Sequence, residues 1–468
     1  MGGIFGVVSK HDCVNDLFFG TDYHSHLGTQ RGGMAVRNGD GYSRTIHDIR
    51  NAQFRSKFDE DMVKMNGNQG IGVISDYEDQ PILVSSHLGT YAIVTVGLIS
   101  NAAALARKAF KKKHTHFAEV ARNEVNPTEL VATLINEADS FEDGLKHAQD
   151  SIEGSCSILL LTEDGIYLSR DKLGRTPLVV GRKDSAYAAT LESCAFLNLD
   201  YEIQRYVGPG EIILLTPDGM EQKNPPGDSM QICSFLWVYY GYPSTCYENI
   251  NVEDTRYRCG AALAKNDRIN LDLVAGIPDS GTAHAIGYAI EAGVPFMRPF
   301  VKYTPTWPRS FMPQDQTVRD LVARMKLMPV EKLIDNKRLL FCEDSIVRGT
   351  QLQDIIQRVF ACGALEVHMR AACPPLVYGC KFLNFSRSKS ILELATRKAI
   401  KELEGDENTE TPEDYADDSS QRYHDMIECI RTRLNLTSLK YQRLNDLVQA
   451  IGLPKEKLCT YCFDGCRQ

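Results

Sequence analysis

Residues 339–350 read Leu-Leu-Phe-Cys-Glu-Asp-Ser-Ile-Val-Arg-Gly-Thr and hold the densest chemistry in the chain. An apolar run leads into two carboxylates, Glu343 and Asp344. The hydroxyls of Ser345 and Thr350 follow, with Gly349 between them. Leu352, Ile355, Ile356, Val359 and Phe360 then recur at helical spacing, so the stretch predicts strand, loop and helix. A loop that opens a helix offers free backbone N–H groups and the positive end of the helix dipole, which suits a phosphate. Carboxylates at the strand's end can hold ribose hydroxyls or a divalent cation. Side by side, these describe a site for a phosphorylated sugar. No Gly-x4-Gly-Lys-Ser/Thr occurs, which argues against a nucleoside triphosphatase.

A second unit of the same kind lies upstream, where Asp279, Ser280 and Gly281 follow an apolar run. Alone it is ordinary turn chemistry. Between the two units lie Lys302, Arg309, Phe311 and Lys326, cations and an aromatic in a stretch interrupted by prolines. Near the C-terminus Cys459 and Cys462 form a C-x-x-C, which by itself reads as zinc, redox or nothing.

The elements that must position these residues fall into two halves. To about Gln222, short β-like runs at 93–96, 157–161 and 211–215 alternate with helical stretches at 101–110 and 128–138. That predicts an α/β sandwich built mainly on antiparallel sheet. A polar, Pro-containing linker covers 223–228. Beyond it, strands at 271–277, 338–342 and 366–371 alternate with helices at 283–292 and 352–361, the rhythm of an open parallel sheet. Ligands bind such sheets beyond the carboxyl ends of the strands, where 343–350 falls. Residues 402–420 are acidic and polar and predict an exposed loop. Leu444, Leu447, Val448 and Ile451 have the spacing of a last core-facing helix.

The 468 residues suffice for two or three domains. A net charge of −9 argues against nucleic acid as the main partner. No apolar run approaches the roughly 18 residues of a membrane span. No secretion signal opens the chain, so a cytoplasmic protein without membrane partners is expected. Its 14 cysteines are then expected as reduced thiols, ligands or catalysts rather than disulfides.

The wording of 343–350 resembles the phosphoribosyl pyrophosphate (PRPP) motif of type I phosphoribosyltransferases, and specifically that of glutamine PRPP amidotransferase. The unit 278–281, continued by Gly287, Tyr288 and Ala289, is similar to that family's pyrophosphate loop. The resemblance covers nearly the whole chain apart from 402–420. It implies an N-terminal-nucleophile-type αββα sandwich over 1–225, classed α+β. An α/β type I phosphoribosyltransferase domain follows over 226–468, with a mainly parallel sheet and a helical, cysteine-bearing tail.

The resemblance also implies displacement of pyrophosphate from C1 of PRPP by an amine, with Mg²⁺. Glu343, Asp344, Arg309, Lys326 and Lys302 take catalytic roles in that reading. PRPP is held by Asp279, Ser280, Gly281, Asp344, Ser345, Ile346, Val347, Arg348, Gly349 and Thr350, and Mg²⁺ by Ser280, Glu343 and Asp344. Lys302, Arg309 and Phe311 would belong to a lid, where Ser310 replaces the family's Thr. The family places Asp-Asp where this chain has Glu343-Asp344. Misplacement on the order of 1 Å can cost about 100-fold in rate, so turnover rather than binding is what Glu343 affects.

The first half resembles the family's glutaminase, from Ile4-Phe5-Gly6 through Gly208-Pro209-Gly210-Glu211. Gln30-Arg31-Gly32 and 170–178 echo its scaffold. The reactive positions differ. Gly2 stands for the nucleophilic Cys, Ser75 lies in the stretch that replaces the carboxylate-binding Arg, Val96 replaces the oxyanion Asn, and Pro127 falls at the amine-binding acid. A domain unable to hydrolyse glutamine is expected.

Cys233 and Cys380 match iron–sulfur ligands in one branch of the family, and with Cys459 and Cys462 would hold a 4Fe–4S cluster. Zinc, or no metal, stays open. Ammonia as donor, purine nucleotides as inhibitors and a homo-oligomer follow from the resemblance. Alternatives are a PRPP- or nucleotide-binding regulatory pseudoenzyme assembled with an active paralogue, and a phosphoribosyltransferase for another amine or base.

Overall fold

The computed structural model describes residues 2–39, 41–50, 52–111, 117–118, 120–121, 124–265, 267–302, 327–383, 393–405 and 411–466. Up to Asn224 the chain builds two large antiparallel sheets, besides the short pair Val120–Ala121 and Glu124–Val125. One has seven strands, in the order Glu202–Tyr206, Val179–Lys183, Ala186–Thr190, Gly3–Ser9, Gln69–Ser75, Arg31–Asn38, Gly41–Asp48. The other has six: Gly219–Asn224, Ile212–Thr216, Ile166–Ser169, Gly154–Leu161, Gly89–Ile99, Ile82–Ser86.

Successive residues of a strand face opposite sides of its sheet, and here both sides are covered. Ile4, Val8 and Val73 of the first sheet meet Val94, Leu159 and Leu168 of the second. Phe5 and Val7 face outward onto Leu17 and Phe18 of the helix Val14–Asp22 and onto Phe54 and Phe58 of Phe54–Lys64. Ile93, Ile158 and Leu160 face outward onto Leu105, Leu130 and Leu145, carried by the helices Ala102–Phe110, Pro127–Ile135 and Phe141–Ser151. The result is a helix–sheet–sheet–helix sandwich. The second of these last three helices begins earlier than its apolar spacing suggests, because the Asn126 side chain caps it by accepting the Thr128 N–H.

The second half holds a four-stranded sheet in the order Leu273–Gly276, Arg338–Glu343, Glu366–Ala371, Ser438–Tyr441, parallel throughout. Leu339, Phe341 and Met369 pack on one face with Ile356, Val359 and Met426. Val274, Leu340 and Cys342 pack on the other with Leu263, Tyr288 and Leu447. Burial on both faces explains why 339–342 is a continuous apolar run.

The chain's end returns to the junction of the two halves. Ile232–Cys233 pairs in parallel with Leu458–Cys459, and the Ser234 hydroxyl donates to the Cys459 carbonyl at 2.9 Å. Just beyond, a π-helix spans Leu236–Tyr240. The buried Arg256 holds it by donating to the carbonyls of Trp237, Tyr239 and Gly241.

The described residues of 402–420 are mostly exposed, as expected, but they are not a plain loop. The helix Ala395–Glu404 covers its start, a 3-10 turn spans Pro412–Tyr415, and Ser420 caps the helix Gln421–Arg433. Tyr415 is 2% exposed, and its hydroxyl donates to Glu404 at 2.8 Å. One aromatic is enough to anchor an otherwise polar stretch to the core. Residues 406–410 lie outside the described residues.

Candidate active site

The loops after Leu273–Gly276 and Arg338–Glu343 meet at the carboxyl edge of the parallel sheet. The Ile277 N–H donates to the Cys342 carbonyl at 2.9 Å. A Cβ on Gly281 would stand 2.3 Å from that same carbonyl oxygen, so only glycine lets the loop approach this closely. Gly281 opens the helix Gly281–Ala292, and Ser280 is its cap residue. The hydroxyls of Ser280 and Ser345 both bond the carboxylate of Asp344, which is 3% exposed. Burial lifts the Asp344 carboxyl above its usual range; these hydroxyls and the nearby Arg256 charge pull against that. Burial, then the Asp344 charge, push Glu343 well above its usual range. The two carboxyls repel when both are ionised, so a shared proton or a divalent cation relieves them.

Gly349 sits at φ +77° and leads into the helix Thr350–Ala361. The first-turn N–H groups of that helix have no intrahelical acceptor. The loop is anchored from behind. Ile346 is 4% exposed in the core, the Val347 carbonyl accepts the Ala395 N–H at 2.7 Å, and Arg348 pairs with Glu393 at 2.7 Å. Lys302 reaches Asp279 at 2.5 Å with both side chains substantially exposed. It ends the strand Phe300–Lys302, which pairs antiparallel with Leu327–Pro329 and so sets Lys302 opposite Leu327. Arg309, Phe311 and Lys326 fall on 303–326, outside the described residues.

The N-terminal sandwich carries an open cleft of about 680 Å³. Gly2, Ser75, Val96, Gly97 and Pro127 all line it. A Cβ on Gly2 would stand 2.3 Å from the Ile74 carbonyl oxygen, so position 2 has no room for a side chain unless the backbone moves. The cleft does have a thiol, Cys156, but it is 3% exposed and burial pushes it up, keeping it protonated. The acids on its wall are engaged. Asp76 accepts the Thr29 N–H at 2.8 Å, Glu78 accepts Gln80 at 2.7 Å, and Glu124 accepts the Tyr77 hydroxyl at 3.2 Å.

Cys233, Cys380, Cys459 and Cys462 line one cavity, together with Arg175, Phe382 and Phe463. A hydrogen bond with Cys380, then burial and the neighbouring thiols, push Cys462 well up. Burial, then Cys459 and Cys380, do the same to Cys233. Among the described residues no group of three or more His, Cys, Asp or Glu is gathered so as to hold a metal ion; the four thiols ring a cavity instead. Cys466 is exposed.

The glutamine amidotransferase domain family matches residues 69–198. The amidophosphoribosyltransferase of Archaeoglobus fulgidus is 32% identical over 354 residues, covering 74% of this chain and 77% of that one. The chain belongs to the amidophosphoribosyltransferases. Its similarity to the amidophosphoribosyltransferase of Methanocaldococcus jannaschii, 29% over 493 residues, spans 99% of this chain and 97% of the relative. Two solved structures share the fold. Glutamine PRPP amidotransferase from B. subtilis, complexed with ADP and GMP, superposes with a TM-score of 0.83 at 24% identity, covering 99% of this chain and 96% of its own. The allosteric regulatory enzyme of purine biosynthesis gives 0.85 at 25% identity, covering 99% and 95%. The αββα sandwich and the parallel-sheet transferase fold that the sequence implied are those of the family.

Within this amidophosphoribosyltransferase fold, Asp279, Ser280, Gly281, Glu343, Asp344 and the loop 345–350 are brought to one sheet edge, with Lys302 at its rim. Arg256 and Cys156 are among the residues that escaped the sequence reading. Arg256 lies about ninety residues before Asp344 in sequence, and nothing local to it signals that its charge reaches that carboxylate. Cys156 sits inside a strand that reads as core. The mapping of Gly2, Ser75, Val96 and Pro127 onto a single cleft needed the resemblance, since no local pattern joins them.

Proposed function

We propose that this amidophosphoribosyltransferase forms 5-phosphoribosylamine from PRPP and ammonia and does not hydrolyse glutamine. The observation that carries this reading is the contrast between its two sites. The transferase edge keeps its acids, hydroxyls and phosphate loop. The cleft is open, but at position 2 it presents a glycine pressed against the Ile74 carbonyl, and the thiol on its wall is buried and held protonated. We assign 1–225 to a glutaminase-like domain and 226–468 to the phosphoribosyltransferase domain.

In the proposed reaction the N–H groups of 344–350 and the pole of the helix Thr350–Ala361 take the 5′-phosphate. Asp279, Ser280 and Gly281 take the pyrophosphate, and Glu343 and Asp344 take the ribose hydroxyls. Mg²⁺ suits the crowded carboxyls Glu343 and Asp344 with Ser280 beside them; when bound it neutralises charge on the departing pyrophosphate. The ammonia nitrogen bonds to C1 as the C1–oxygen bond to pyrophosphate breaks, and the nitrogen then sheds a proton. Arg309 and Lys326 are assigned to the substrate by the family resemblance alone, and Lys302 would exchange Asp279 for the substrate's charge. The B. subtilis relative's complex with ADP and GMP supports purine nucleotides as ligands here.

The four cysteines fit a 4Fe–4S cluster better than zinc. A single zinc ion needs all four sulfurs about 2.3 Å from one point, whereas these thiols surround a cavity and crowd one another's charge. A cluster supplies a rigid cross-link between the segments that carry them.

The crowding of Glu343 on Asp344 favours one second reading, a PRPP- or nucleotide-binding regulator partnering an active paralogue. The deciding measurement is pyrophosphate release from PRPP and Mg²⁺, on protein purified without oxygen, with ammonium chloride or glutamine as donor. Release with ammonium alone is expected. Release with glutamine overturns the reading of the cleft, and PRPP binding without release from either donor moves the assignment to the regulator.

A further inference from the structure

Arg175 belongs to the N-terminal sandwich, yet its side chain lines the cysteine cavity. The loop that carries it is joined to the cysteine segment by two main-chain bonds. The Gln231 N–H donates to the Leu173 carbonyl at 2.7 Å, and the Cys233 N–H donates to the Arg175 carbonyl at 3.1 Å. Arg175 is 7% exposed, and its guanidinium carbon lies over Phe382, 3.8 Å from the ring centre. Nη1 donates to the Gly154 carbonyl at 3.1 Å and Nη2 to Gln231 at 3.3 Å. Nε is buried and has no hydrogen-bond partner among the described residues. On the same loop the buried Asp171 accepts the Arg175 main-chain N–H at Oδ2, and its carboxylate also shares the Arg175 charge.

An unpartnered donor on a buried guanidinium is costly, and so is a group of thiolates without a counter-charge. They line the same cavity, and each offsets the other. A 4Fe–4S cluster on four thiolates stays anionic and gains a further negative charge on reduction. Its potential responds to net charge, to hydrogen bonds to sulfur and to solvent exposure. Phe382 excludes water from the guanidinium, which strengthens its action across the cavity.

We propose that Arg175 is the outer counter-cation of the cysteine-held group, a residue by which the N-terminal domain sets how firmly a cluster on Cys233, Cys380, Cys459 and Cys462 is kept and at what potential it accepts an electron. This rests on the reading of those cysteines as cluster ligands. Arg175 touches no substrate, and its role is to position and neutralise.

The test uses the full chain purified without oxygen. Iron and acid-labile sulfide are measured first, then the reduction midpoint by optical titration and the rate of iron loss to a chelator, for the wild type, Arg175→Gln and Arg175→Lys. Arg175→Gln is expected to lower the midpoint by about 59 mV, a tenfold shift of a one-electron equilibrium, and to lose iron several-fold faster. Arg175→Lys should restore most of the midpoint, which a purely structural role would not predict. Should Arg175→Gln fail to fold, Phe382→Leu serves instead: it leaves the bonds to Gly154 and Gln231, exposes the guanidinium to water, and should shift the midpoint in the same direction by less. Equal midpoints and iron-loss rates in the iron-loaded wild type and the neutral variant, or in Phe382→Leu where that replaces it, overturn the role of Arg175 and leave the cysteine reading standing. Wild-type protein that takes up no iron overturns the cysteine reading itself, and the proposal with it.

Discussion

Glu343 has one methylene more than the aspartate expected at its position. Its carboxyl bonds that of Asp344, which is already held by Ser280 and Ser345. Shortening it should relieve the crowding without removing a carboxylate. Glu343→Asp is therefore expected to raise the ammonia-dependent rate, by up to about 100-fold if placement is the whole limitation, with little change in PRPP affinity. Steady-state pyrophosphate release checks this, and an unchanged rate would put the limit elsewhere. Gly2 makes the opposite argument. Restoring a cysteine there adds a Cβ 2.3 Å from the Ile74 carbonyl oxygen. Gly2→Cys is expected to yield no glutamate from glutamine and to cost about 1–3 kcal/mol of stability, the usual range for overfilling a packed site. Glutamate release and a thermal melt read the two effects separately.

At the scale of elements, the phosphate loop depends on one left-handed residue. Gly349 turns the chain at φ +77° into the helix Thr350–Ala361, and the loop behind it is tied at Ile346, Val347 and Arg348. A side chain in that conformation costs about 1–2 kcal/mol. If the loop gives way rather than the fold, Gly349→Ala should raise KM for PRPP roughly tenfold, since 1.4 kcal/mol is about a factor of ten, while Tm falls by only a few degrees. An unchanged KM would mean that the loop does not bind phosphate. This loop was legible because its chemistry is local: strand, acids, glycine and helix follow one another in twelve residues. The αβ rhythm of the second half was legible for the same reason. The polar stretch 402–420 was not, because its order comes from Tyr415 packing on distant helices and from Arg422 pairing with Glu404 and Asp414. Arg256 and Arg175 were illegible as site residues because each acts on a partner far away in sequence, and only the folded chain brings them together. The cleft was legible only through family resemblance, since an absent nucleophile leaves no pattern of its own.

For the whole molecule, the junction between the halves is polar and buried, which makes it sensitive to acid. Glu192, 1% exposed in the sandwich, accepts hydroxyls from Thr245 and Tyr247 of the connecting segment. Burial opposes its ionisation, yet the His26 ring 3.6 Å away and the hydrogen bonds from Thr245 and Tyr247 hold its carboxyl below the usual range. Behind it, His24 is fully buried. Its Nδ1 donates to the Gly20 carbonyl at 2.9 Å, and its Nε2 accepts the Thr190 hydroxyl at 2.9 Å. That arrangement needs the neutral ring, and burial lowers the His24 pKa to about 4. The unfolded chain takes up this proton near 6.5, while the native chain resists it down to about 4. The stability that neutral His24 contributes is thus complete above pH 6.5 and is lost as pH falls toward 4. Glu192 adds to the loss at the acid end, because its carboxyl must be protonated against its hydrogen bonds. At about 1.4 kcal/mol per pH step for one proton, acidification from pH 6.5 to 4.5 should remove on the order of 2–3 kcal/mol through His24. Thermal melts of the wild type and His24→Gln across that range measure it. The variant starts lower but should show the shallower decline, because it has no ring left to protonate. Parallel declines in the two proteins would assign the acid sensitivity to Glu192 and its hydroxyl partners, and would predict that Glu192→Gln flattens the curve instead.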